Sequence, residues 1–182
     1  MTDPWYNKPA FGSWLPSFAP YIHPTHLASL GERLTILVSH GHDDHLDGRL
    51  LGIFDKKTKI VTADFTAPSV VNRLNKLGFE NTSTVFENES KINGLMISSY
   101  IAEYFSHDDA TYLIRNDDGT VIHANDNWHE FESGHELLIK ERVSCYSRNS
   151  VLLFNQTNSA SGHPLNYRNF SDEKKFQFYV QK

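Results

Sequence analysis

The chain is poor in cysteine: Cys145 stands alone in 182 residues, which excludes an intrachain disulfide framework and suits the reducing cytoplasm expected as its location. No apolar run approaches the ~20 residues of a membrane-spanning helix, and no N-terminal leader pattern is visible. A basic stripe is also missing. Lys and Arg number 17 against 22 Asp and Glu, giving a net charge of -5 and a pI near 6.0, which argues against an electrostatic grip on nucleic acid. Internal repeats and low-complexity tracts are absent. The remaining composition, 39% hydrophobic and 13% aromatic, can bury one sizeable core, so a single domain spanning residues 1–182 is expected.

Histidine, by contrast, is concentrated. His40-Gly41-His42-Asp43-Asp44-His45 places three imidazoles and two carboxylates in six residues, directly behind the β-branched, apolar run Leu34-Thr35-Ile36-Leu37-Val38. That run reads as a buried strand, and the end of a strand is where α/β folds place chemistry. Residues two apart on an extended chain point to the same side, so His40 and His42 can offer two imidazoles to one ion. If the chain turns into a helix at Asp44, then Asp44 and His45 leave that geometry and reach a second ion, while Asp44 also suits the helix N-terminus. The plain alternative is a surface loop of solvated imidazoles with an Asp cap.

His40, His42, Asp44, His45 and Gly48 together resemble the H-x-H-x-D-H-x-x-G motif of the metallo-β-lactamase-fold hydrolases. Asp3-Pro4-Trp5, followed by Pro9, Phe11 and Trp14, is similar to a D-P-W stretch in one branch of that family. The branch holds CMP-N-acetylneuraminate hydroxylase-like, ascorbate-phosphate lactonase-like and N-acyl phosphatidylethanolamine phospholipase-like proteins. The resemblance implies an α/β fold, a four-layer αββα sandwich with the metals at one edge, here lacking the first N-terminal strands because the chain starts at the D-P-W stretch. A trimmed variant, a fragment or a partner-supplied edge would each account for that start. An uncovered sheet edge would also let two copies pair as a homodimer.

Downstream, Lys59–Ala63 reads as a strand, and residues 67–77 as a helix with Pro68 near its start and Gly78 as its stop. Residues 82–86 and 96–104 alternate as strands. Residues 110–115 and 120–124 flank Asn116-Asp117-Asp118-Gly119, whose Asp-Gly signals a hairpin. Residues 150–154 form a last buried run, and residues 128–142 an interrupted amphipathic helix. Met1 to Pro20, dense in Pro, Gly and aromatics, reads as an irregular segment. His23 and His26 fall in a turn and helix start, His123 on a strand face with the option of orienting a ligand, and His129 and His135 on the surface.

The resemblance further implies His107 as the third ligand of a first ion with His40 and His42. It implies Asp126 as the bridge between two ions, and His45, with His163 from the loop after the last strand, as completing a second site to which Asp44 belongs. The expected cofactor is Zn2+, one or two ions, with Mn2+ or Fe2+ also compatible with nitrogen and oxygen ligands. An iron–sulfur module of the hydroxylase type is not encoded, because no second cysteine is present. The implied activity is that of a hydrolase: a metal-bound hydroxide attacks an ester, lactone, amide or phosphodiester of a small-molecule substrate, a carbohydrate or lipid-headgroup derivative, with Asp44 steering the water. The competing expectation is a non-catalytic or accessory metallo-domain that binds a nucleotide-sugar or a protein partner.

Overall fold

The computed structural model of the chain describes residues 1–6, 9–10, 22–101, 109–125, 138–143 and 150–155. Two sheets carry the architecture. The first has β1 (Thr35–Val38), β2 (Lys59–Ala63) and β3 (Thr82–Val85) in that spatial order, all parallel, with Thr35 opposite Lys59 and Ile60 opposite Thr82. The second has β4 (Ser90–Ile92), β5 (Leu95–Ile101), β6 (Ala110–Arg115), β7 (Gly119–Asn125) and β8 (Ser150–Asn155) in sequence order. There β4 to β7 are antiparallel, and β8 joins β7 in parallel.

Side-chain alternation along these strands builds three separate apolar clusters, and three interfaces mean four layers. Ile36 and Val38 of β1 face outward with Ile60. They pack under Leu51 of α1 (Gly48–Leu51) and Val70 and Leu74 of α2 (Ser69–Lys76). Leu37, Val61, Ala63 and Val85 face the other way and meet Ile97, Ala110 and Tyr112 across the sheet-to-sheet interface. Leu113, Ile122 and Ala124, with Tyr100, form the far face of the second sheet and pack on Ile139 of the helical residues 138–143. The expected αββα sandwich is therefore present among the described residues.

The N-terminal segment, expected to be irregular, departs from that where residues 1–3 bridge to β1. Thr2 pairs in parallel with Leu37, the amide of Leu37 donates to Met1 O at 2.8 Å, and the amide of Asp3 donates to Leu37 O at 2.8 Å. Residues 1–3 thus lie along β1 as a further strand-like neighbour. β4 is a second departure, paired to β5 through Asn93-Gly94, whose φ values of 47° and 81° are the left-handed pair an Asn-Gly hairpin turn requires.

Near the C-terminal end of β1 the two sheets are joined by hydrogen bonds. The buried Tyr112 hydroxyl donates to Val38 O at 2.7 Å, and the amide of Ala110 donates to Ser39 O at 3.2 Å. Burial, then the nearby Asp3 charge, push the Tyr112 phenol far above its ordinary range, so it stays neutral and donates. Tyr112→Phe leaves Val38 O without this partner inside the core and should cost about 1–3 kcal/mol in urea unfolding. An unchanged midpoint would mean that this bond does not secure the end of β1.

Candidate metal centre

His40 follows β1 at the point where the chain leaves the sheet, and the next six residues form turns instead of the helix start expected at Asp44. The amides of His45 and Leu46 both return to His42 O, at 3.1 and 2.7 Å, closing a single turn. Helix α1 begins only at Gly48. Its cap is Asp47, whose Oδ1 accepts from the amides of Arg49 and Leu50, so the capping role expected for Asp44 belongs to Asp47. Gly48 has a packing reason: a Cβ there would stand 3.3 Å from Leu77 Cδ2, at the end of α2.

This turn brings four of the expected residues together. His40 is buried and His42 exposed, yet His40 Nε2 and His42 Nδ1 face each other at 2.8 Å, with their rings edge to face. The His45 ring lies 4.0 Å from that of His40, and its Nε2 is 3.6 Å from Asp44 Oδ2. Two imidazole nitrogens bound to a tetrahedral zinc at about 2.0–2.1 Å would stand roughly 3.3 Å apart, so the observed pair needs to open by only about half an ångström. Asp44 Oδ1 is buried with no hydrogen-bond partner, a costly state for a carboxylate that a cation would relieve. The donor set and its geometry fit a metal ion. Among the described residues no group of three or more such side chains is arranged to hold a metal ion. His107, Asp126 and His163 lie outside the described residues.

The Nδ1 atoms of His40 and His45 face residues distant from the turn or just before it. Asp3 is the hub. Its Oδ1 accepts from the Ser39 amide at 2.7 Å; its Oδ2 accepts from the Ser39 hydroxyl at 2.8 Å and lies 3.1 Å from His45 Nδ1 and 2.5 Å from His123 Nε2. Burial alone would raise the Asp3 carboxyl, but hydrogen bonds to His123 and His45, and their charges, outweigh it and hold the group well below the usual carboxylate range. His123 therefore belongs to the support of the site and is more than a sheet-face residue. His40 Nδ1 has Ser39 Oγ at 3.1 Å and Asp109 Oδ1 at 2.7 Å. The latter contact is close without being an aligned hydrogen bond. Carboxylates behind imidazoles fix ring orientation and raise ligand basicity.

Backbone strain gathers at the same place. Asp3 and Asn125 have φ values of 43° and 41°, and only Asn93, in the hairpin turn, shares this left-handed state among the described non-glycine residues. Asn125 ends β7 just after a register shift and is fixed by its amide donating to Ala110 O at 2.6 Å.

No family model matches the chain. A Mycobacterium tuberculosis protein bearing the name Rieske 2Fe-2S iron-sulfur protein is 31% identical over 135 residues, covering 69% of this chain and 26% of its own length. The chain thus spans about a quarter of that relative. A Rieske centre takes two cysteines and two histidines, so the single Cys145 excludes such a cluster within these 182 residues. Among solved structures, a variant of CmlA, described as a diiron β-hydroxylase from Streptomyces venezuelae, superposes with a TM-score of 0.50 at 21% identity, covering 69% of this chain and 26% of that one. An isothiocyanate hydrolase from Delia radicum gut bacteria superposes with a TM-score of 0.51 at 13% identity, over 99% of this chain and 81% of that one. These likenesses and the layer order agree: the chain has the metallo-β-lactamase fold.

Proposed function

We propose that the chain is a metal-dependent hydrolase domain acting on an ester, lactone, amide or phosphodiester. The observation that carries this reading is the convergence of His40 Nε2 and His42 Nδ1 at 2.8 Å at the end of a parallel strand, in the turn that also holds an Asp44 oxygen with no hydrogen-bond partner. His40 and His42 would hold one ion, joined by His107. Asp44 and His45 would hold a second, with Asp126 between the two and His163 available from the C-terminal loop. A bound ion supplies Lewis acidity and a lowered pKa for water, which is what hydrolysis at neutral pH needs.

The chain's own residues do the remaining work. Asp3 keeps His45 Nδ1 engaged and so directs His45 Nε2 toward Asp44, while Ser39 and Asp109 do the same for His40. Asp44, half-buried and with no hydrogen-bond partner on Oδ1, would accept a proton from an attacking water or bind an ion. Zinc suits these ligands, and iron is a second candidate because the structurally similar CmlA is described as a diiron protein. The substrate reading is a small molecule, a carbohydrate or lipid-headgroup derivative, in a cytoplasmic setting. Among the described residues no helix is long and apolar enough to cross a membrane.

The accessory reading, a metallo-domain serving a nucleotide-sugar or protein partner, is favoured by one observation: the matched region is only 26% of the mycobacterial relative and 26% of CmlA. Turnover of a panel of phosphodiester, lactone and thioester substrates, abolished by chelator, supports the hydrolase. Silence on the whole panel with tight nucleotide-sugar or protein binding supports the accessory domain.

Metal counted per chain after purification without added metal should be at least one for the parent and fall at least tenfold in His42→Ala; equal occupancy would overturn the assignment. Asp3→Asn should weaken metal affinity by about 10–100-fold by releasing the rear of His45. It should also lower stability at neutral pH. Because the folded carboxyl titrates below its unfolded value near 3.9, that contribution is present above about pH 4 and lost as pH falls below it. Parent and variant melting curves should therefore converge in acid, and a constant gap down to about pH 2 would contradict the role given to Asp3.

A further inference from the structure

Arg73, on the last turn of α2, reaches the histidine turn with its whole guanidinium. Its Nη1 donates to Gly41 O at 2.5 Å, and its Nη2 donates to Leu46 O at 2.9 Å and to Asp43 Oδ1 at 2.6 Å. The two carbonyls are the flanks of the segment that carries His42, Asp44 and His45, so one planar fork ties both of its ends to the same helix. The base of the fork is fixed as well. Val70 and Leu74, on either side of Arg73 along α2, are buried in the helix-to-sheet cluster, and a Cβ on Gly41 would stand 3.6 Å from Val70 Cγ2. Inside the segment the amides of His45 and Leu46 share a single carbonyl, that of His42.

We infer that Arg73 is a positioning residue for the candidate metal ligands, holding the 41–46 turn in the conformation that brings them together. The inference rests on the metal reading given above. Electrostatics alone makes the opposite prediction, because a cationic side chain near a cation site disfavours metal, and its removal would then tighten binding. Asp43 offsets that charge, and what is left is geometry. Lysine cannot replace the fork, since one ammonium does not span two carbonyls and a carboxylate at fixed angles.

The test is cobalt(II) titration of the metal-stripped full chain against a competing chelator, followed by visible absorption and paired with hydrogen exchange of amides 41–46. Arg73→Met and Arg73→Lys should both bind cobalt at least tenfold more weakly than the parent, with faster exchange confined to the turn. Asp43→Asn should show a smaller loss, and Lys76→Met, on the same helix, none. Arg73→Lys retains the charge and the aliphatic stem, so a binding loss at an unchanged thermal midpoint reports turn geometry. Cobalt binding by Arg73→Met as tight as the parent's, or tighter, overturns this inference alone; a parent that takes up no cobalt overturns the metal reading and this inference with it.

Discussion

A carboxylate buried between two sheets is the constraint on which the candidate site depends. Asp3 accepts hydrogen bonds from both the amide and the hydroxyl of Ser39, at the end of β1, and contacts His123 of β7 in the other sheet. Removing an ionised carboxylate from water is costly unless its oxygens are filled, and here donors from the first sheet, the histidine turn and the second sheet fill them. The same contacts fix the spacing of β1 and β7 at the end where the imidazoles gather. Tyr112, reaching Val38 O from β6, joins the sheets next to it. Candidate site and scaffold are thus one network, in which a shift of either sheet would move a candidate ligand.

Much of the scaffold is legible in the sequence, because periodicity reports local structure. β2 and β6 fall where alternation and β-branching place them, the hairpin between β6 and β7 forms at Asp118-Gly119, and α2 ends before Gly78, whose φ is 84°. β4 escapes because three residues are too few to display a period, although Asn93-Gly94 is itself a strong turn signal. The helix starts three residues beyond the Asp44 cap that the sequence suggests, because Asp44 and Asp47 have equal intrinsic capping ability. Only the return of two amides to His42 O distinguishes them.

The site is legible in part for the same reason. His40, His42, Asp44 and His45 are close in sequence, and their grouping follows from the strand that delivers them. Asp3, 36 residues from Ser39 and 120 from His123, acquires its role only through long-range pairing. Asp109 and Arg73 are likewise ordinary polar residues until β6 and α2 are placed beside the turn. Function on such folds resides in the residues at one rim, and specificity in the loops around them, which is why likeness at 13–21% identity transfers the fold and leaves the substrate to experiment.

In the proposed site His40 and His42 would bind one ion through nitrogens already turned toward each other. X-ray absorption of the zinc-loaded chain tests this most directly, because imidazole rings give a distinctive multiple-scattering pattern. The expected spectrum shows a nitrogen and oxygen shell at about 2.0–2.1 Å with at least two imidazoles per zinc. A shell of oxygens without imidazole scattering would contradict it.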